Sequence, residues 1–178
     1  MKNIYPLLII TCLVFVFSSC TKDNKSANTA GQLAGKWQET TLTLHQVIGG
    51  DAVRDTSFTS VSFLPGDFYQ FNTDNTAVIS QSGVYAFGGK VSTIDGGTTS
   101  LTVNHYKYSV ADNMVTLTFT APLTTPNNIQ EALTKTESIV LLDDTHLILS
   151  TYASNANIPG ASTNVSSLTT IAYFTRVK

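Results

Sequence analysis

Charge is scarce in this chain of 178 residues: only 12% of them are Asp, Glu, Lys or Arg, and the formal net charge is −2. So few cations assemble no basic run, which excludes an interface built on neutralising nucleic-acid phosphates. Cysteine is scarcer still, with Cys12 and Cys20 alone. Cys12 sits inside an N-terminal apolar run. A domain beyond that run keeps one thiol, no intramolecular disulfide and no cysteine pair for a metal. The three histidines, His45, His105 and His146, fall far apart and show no His-x-His or His-Glu-x-x-His spacing, so they read as scattered strand residues and not as a zinc site. No Gly-x-Ser-x-Gly elbow is present. Glutamate is limited to Glu39, Glu131 and Glu137, and no spacing pairs them as a glycosidase would need. The glycine pairs at 49–50, 88–89 and 96–97 lead into no helix, so none is a phosphate loop. No enzyme, cofactor or metal is expected.

What is present begins with Met1-Lys2-Asn3 and an almost continuous apolar run from Tyr5 to Phe17. That is the charged start and hydrophobic centre of a signal peptide, too short to span a bilayer comfortably. The run ends Phe17-Ser18-Ser19-Cys20. Small residues directly before a cysteine resemble the lipobox of bacterial lipoproteins, with Phe17 where Leu is usual. The resemblance implies cleavage of residues 1–19 and acylation of Cys20 at its thiol and new amine. Several acyl chains anchor firmly where one is marginal, since each buried CH₂ contributes ~0.8 kcal/mol. Thr21, not Asp, follows the cysteine, and by resemblance to Gram-negative sorting rules this implies the outer membrane. Residues 20–31 have no apolar periodicity and read as a flexible tether after the lipid.

From Gln32 onward the pattern changes to alternation and turns. Glu39 to Ile48 reads as a first strand, with Leu42, Leu44 and Ile48 on one parity. Trp37 falls on the other parity, which predicts a bulge near Thr40-Thr41. Asp51 to Thr56 reads as loop and Ser57 to Phe63 as a short strand. Three hairpins then share one grammar. Asp67–Thr73 and Thr76–Gln81 flank Asp74-Asn75, Leu101–Ala111 and Met114–Ala121 flank Asp112-Asn113, and Thr136–Leu142 and Thr145–Ala153 flank Asp143-Asp144. Asp and Asn tolerate the positive φ that tight hairpins need. Gly83–Phe87 is a further strand, Lys90–Ser100 a Gly/Thr-rich loop, and Leu168–Lys178 a closing strand. Pro122–Lys135 is the best helix candidate, one or two turns at most. About eight or nine hairpin-joined strands must hide their edges, and rolling into a barrel does so. The fold class is therefore all-β, an antiparallel up-and-down barrel over residues 32–178.

Leu33-Ala34-Gly35-Lys36-Trp37, Phe71-Asn72-Thr73-Asp74-Asn75-Thr76, Leu141 to Leu149 and Tyr173-Phe174-Thr175-Arg176 together resemble the lipocalin-like domains of Bacteroidetes lipoproteins. In that family a Gly-x-Trp tryptophan plugs the barrel floor and an arginine on the last strand lies against it. The resemblance places Gly35, Trp37 and Arg176 in those positions, as a structural pair. It also implies a small, largely apolar ligand in the opposite mouth. Tyr85, Tyr106, Tyr108 and Phe119 are guesses for the lining. The alternative is a filled barrel, an accessory lipoprotein that meets a protein or glycan partner through its loops.

The anchor has a direct test. Cys20→Ser is expected to move the protein from the membrane fraction to the soluble fraction, and continued membrane association overturns the lipoprotein reading.

Overall fold

The computed structural model describes residues 24–49, 52–86, 89–92, 94–95, 98–120, 134–154 and 165–178. The expected leader, Cys20 and most of the helix candidate lie outside them; Thr134 and Lys135, at its end, begin a strand.

A helix, α1 (Asn24–Leu33), leads into the long strand β1 (Gly35–Ile48). The strands that follow are β2 (Ala52–Phe58), β3 (Phe68–Phe71), β4 (Thr76–Gln81), β5 (Gly83–Ala86), β6 (Gly89–Ser92), β7 (Ile94–Asp95) and β8 (Thr98–Thr99). The last five are β9 (Thr102–Ala111), β10 (Met114–Phe119), β11 (Thr134–Leu142), β12 (His146–Ser154) and β13 (Val165–Arg176). Eight of them, β1, β3, β4 and β9 to β13, pair in antiparallel sequence, and β13 returns to β1 along nearly its whole length. The sheet is thus closed into the expected barrel. β2 is an extra, ninth strand. It pairs with Leu42–Ile48 of β1, while β3 takes Gly35–Gln38 on the same edge. β5–β6 and β7–β8 are two small separate ladders.

β1 carries the bulge that its change of parity predicts. The β1–β13 register slips between Glu39 and Thr41, so Trp37 and Glu39 face inward below the bulge and Leu42 and Leu44 face inward above it. The turn chemistry holds too. Asp112 and Asn113 have φ of 48° and 60°, and Asn75 has φ of 64°. The third turn works differently: the Asp143 carboxylate accepts from the backbone N–H groups of Thr145 and His146, both at 2.7 Å.

Four segments differ from expectation, among them Lys90–Ser100, read as a loop, which carries most of β6 and all of β7 and β8. The segment read as loop, Asp51–Thr56, falls largely within β2, and Ser57–Phe63 is split between the end of β2 and a 3₁₀ turn at Ser60–Ser62. Val53, Arg54 and Asp55 are all exposed, so β2 is held by its ladder with β1 and shows no apolar alternation to read. The tether assigned to residues 20–31 overlaps α1. Its composition lacks a helical stripe, and its C-terminal end is instead fixed by the barrel: Leu33 is fully buried, and Arg176 reaches its last carbonyls.

The floor of the barrel is its driest part. Trp37, Leu33, Phe71, Val115, Leu117, Leu147 and Phe174 are all almost wholly buried in one cluster. Arg176 lies opposite Trp37 in the ladder, so both side chains share the inner face. Its guanidinium sits 4.2 Å from the indole centroid, a contact of roughly 0.5–2 kcal/mol. The indole Nε1–H donates to Leu33 O at 2.7 Å, and Arg176 donates to Ala34 O at 2.8 Å and to Gln32 O. Gly35 has φ of +141°, and a Cβ there would lie 2.7 Å from an Arg176 terminal nitrogen. Glycine therefore meets two constraints at once. Gly35→Ala is expected to cost about 1–3 kcal/mol, read as a lower denaturant midpoint. Unchanged stability would show that the arginine's approach imposes no constraint.

Candidate functional site

Above the floor, the barrel holds a cavity of about 440 Å³ that opens to solvent at the end away from Trp37. Its apolar wall comes from residues on the inner parity of three neighbouring strands: Leu42 and Leu44 of β1, Leu149 of β12, and Leu168 and Ala172 of β13. Register explains the grouping, since Leu42 faces Ala172, Leu44 faces Thr170, and Leu149 faces Ala172 across their ladders. Gln46, Thr151 and Thr170 continue the same rows toward the mouth. The volume falls within the range of small-molecule sites, and the mixture of apolar wall and few polar groups is of the usual kind.

The base of the cavity is ionisable. Glu39 of β1, Tyr69 of β3, Gln81 of β4, and Lys135 and Glu137 of β11 line it. Glu39 and Glu137 are almost fully buried. Lys135 Nζ donates to Glu137 Oε1 at 2.9 Å and to the Tyr69 hydroxyl at 3.1 Å. Burial acts against the Lys135 ammonium, but Glu137 and Tyr69 outweigh it and hold its pKa above the ordinary lysine value. Burial, foremost, pushes the Tyr69 hydroxyl up, so it stays protonated and serves as a polar contact. Glu39 is the outlier. Burial first, then the negative charges of Asp67 and Glu137, raise its pKa to about 8, against the opposing pull of Lys135 and a hydrogen bond from Gln81. Oε2 of Glu39 and Oε2 of Glu137 are buried without a hydrogen-bond partner among the described residues.

Behind this base, Asp67 is fully buried and saturated. It accepts from Leu64 N at 2.6 Å, from Ser82 Oγ at 2.7 Å and from Ser82 N, with Lys90 at 3.6 Å. This cluster ties the chain entering β3 to the β4–β5 junction. It is a structural staple, and it also supplies the negative potential that Glu39 feels.

Of the residues singled out in the sequence, Trp37 and Arg176 are brought together, at the floor. The guessed lining residues are elsewhere. Tyr108 is buried edge-on against Phe71 at 5.2 Å and donates to Asn72 O at 2.9 Å. Tyr106 and Phe119 pack edge to face at 5.5 Å. None of these three lines the cavity. Tyr85 lies on β5, and its side chain is outside the described residues. The histidines stay apart: His45 pairs with exposed Asp55 at 2.7 Å, and His146 meets Thr145 Oγ1 at 2.8 Å. No cluster of three or more metal-ligating side chains occurs among the described residues.

Sequence reasoning named Glu39 and Glu137 only as unpaired glutamates, and Lys135 only as the end of the helix candidate. A signal existed for two of them. Glu39 shares the parity of Trp37, and Glu137 shares the parity of Ile139, so each occupies an inward position on a strand.

The barrel, its Trp–Arg floor and its open cavity have the architecture of a lipocalin-like protein. Among solved structures, the chain is similar to a lipocalin-like protein from Bacteroides uniformis at 14% identity, covering 83% of this chain and 100% of that one, with a TM-score of 0.42. It is also similar to an uncharacterized protein from Bacteroides eggerthii at 13% identity, covering 82% and 99%, with a TM-score of 0.40. The fold assignment rests on the strand order and closure of this chain. No protein-family model and no curated protein matches it.

The raised pKa of Glu39 has a consequence for stability. Its folded value of about 8 lies above the unfolded value of 4.5, so the folded state holds the extra proton between them. The associated stability is complete below pH 4.5 and is lost as pH rises through 8. Denaturant titrations are expected to show wild-type stability falling across this window, and Glu39→Gln is expected to remove most of the fall. A variant with the same pH slope as wild type would assign the loss to another group.

Proposed function

We propose that the protein is a lipid-anchored, non-catalytic carrier of the cell envelope that holds a small, largely apolar molecule in the open mouth of its barrel. The cavity carries this reading: about 440 Å³, open at one end, with leucines on three strands forming its wall. A filled barrel, the alternative of an accessory protein acting only through its loops, would have no such space. The anchor and the outer-membrane location draw their support from the Phe17-Ser18-Ser19-Cys20-Thr21 sequence alone. Attached through several acyl chains at Cys20, the domain would stay beside the membrane while its mouth remained open to a ligand.

A second reading is favoured by one observation, the raised pKa of buried Glu39, since a carboxyl group kept protonated at neutral pH can act as a general acid. Against it, Lys135 is engaged by Glu137 and Tyr69, and among the described residues no Ser or Cys joins the base of the cavity.

Native mass spectrometry of protein purified from its own host tests the carrier. A bound small molecule is expected on the wild type and absent from Leu149→Trp, which fills the cavity. A wild-type barrel that is empty, or a mass unaffected by Leu149→Trp, overturns the carrier reading. Chemical change of the recovered molecule by wild type, abolished in Glu39→Gln, would establish the catalytic one instead.

A further inference from the structure

The base of the cavity offers more acceptors than donors. Glu39 and Glu137 are each more than nine-tenths buried, and each has an Oε2 with no hydrogen-bond partner among the described residues. A buried acceptor left unmatched costs free energy that a ligand donor recovers. Lys135, the cation of this base, gives two of its three N–H donors to Glu137 Oε1 and the Tyr69 hydroxyl. Asp67, the nearest further carboxylate, has Lys90 at 3.6 Å and three donors of its own.

Formal charge narrows the occupant. With Glu39 protonated, the Lys135–Glu137 pair leaves the base neutral; with both glutamates ionised, it carries two negative charges against the one positive charge of Lys135. A single monovalent cation restores neutrality. A divalent metal overshoots it and would sit beside a fixed ammonium, and an anionic ligand head adds to the imbalance. The walls above the carboxylates are leucine side chains, which suit an aliphatic or aromatic body.

Resting on the carrier reading, we propose that the occupant is an amphipathic amine, with its ammonium head on Oε2 of Glu39 and Oε2 of Glu137 and its apolar body along Leu44, Leu149 and Leu168. Two carboxylate oxygens present acceptors to a head that carries several N–H donors, and the apolar body replaces solvent against the wall.

This arrangement couples binding to a proton. Glu39 is faced by Asp67 from the loop before β3, Tyr69 on β3, Gln81 on β4, and Lys135 and Glu137 on β11. With the cavity free of ligand, burial and its acidic neighbours keep Glu39 largely protonated below pH 8. An ammonium favours the carboxylate, so binding near neutral pH releases the Glu39 proton to solvent. Amine affinity therefore rises with pH until Glu39 ionises unaided, and is flat above until the amine loses its own proton.

Calorimetric titration of the full chain carrying Cys20→Ser, with octylamine, octanol and octanoate as matched probes, tests this. Octylamine is expected to bind most tightly, with proton release, and to gain on the order of tenfold in affinity between pH 7 and pH 9. Glu39→Gln and Glu137→Gln are each expected to lose the preference for octylamine over octanol, and the wild-type pH profile decides the matter should either variant fail to fold. Octanol or octanoate binding as tightly as octylamine overturns the amine assignment and leaves the carrier reading standing. An octylamine affinity independent of pH overturns it likewise. Binding by none of the three overturns the amine assignment too, and together with an empty barrel in the native mass spectrum it overturns the carrier.

Discussion

Arg176 joins the two ends of the domain through one guanidinium. Its face covers Trp37, and its N–H groups hold the carbonyls of Gln32 and Ala34 where α1 hands over to β1. The last strand is thereby locked to the first at the level of the floor, and the β1–β13 ladder extends from that point. Closure of the sheet removes the exposed backbone edges that eight separate strands would present. Beneath the guanidinium the floor is dry: its tryptophan satisfies its single donor internally, at Leu33 O, and the rest of the cluster around it is hydrocarbon or aromatic. The glycine two residues before the tryptophan belongs to the same constraint, because the arginine occupies the volume a side chain would need.

The bulge in β1 divides this dry end from the cavity. Below it, Trp37 points into hydrocarbon; at it, Glu39 begins a belt of ionisable groups; above it, Leu42 and Leu44 form wall. A buried carboxyl with an unmatched oxygen is a poor device for stability, and two of them in one belt are worse. Apolar residues of similar volume would occupy the same positions without an unmatched polar atom. The belt therefore carries a cost that the fold does not require, and its position directly beneath an open space gives that cost a use.

Much of the barrel was legible because turn chemistry and parity are local. Asp112-Asn113 declares a tight hairpin by residue type, and Val115, Leu117 and Phe119 declare the inner face of the strand after it. The clash of parity between Trp37 and Leu42 was enough to locate a bulge. What was not legible depends on partners distant in the chain. β2 carries exposed polar residues and owes its form to hydrogen bonds with β1. The end of α1 is secured by an arginine more than a hundred residues later. The ionisable belt was hidden for the same reason: Glu39 and Lys135 lie on strands far apart in sequence, and only closure of the sheet makes them neighbours. Aromatic residues were the wrong guide to the cavity, because large flat side chains fill the floor and the opposite wall while leucines, with less bulk, leave the space.

β1 gives one edge to two different strands, β3 near the floor and β2 near the mouth, and β2 has no second neighbour in the sheet. The wall is therefore laddered all round at the bottom, while above it, among the described residues, the outer edge of β2 has no ladder partner. Among the described residues, the nine-stranded sheet therefore ends at β2, a strand held to the barrel by its ladder with β1.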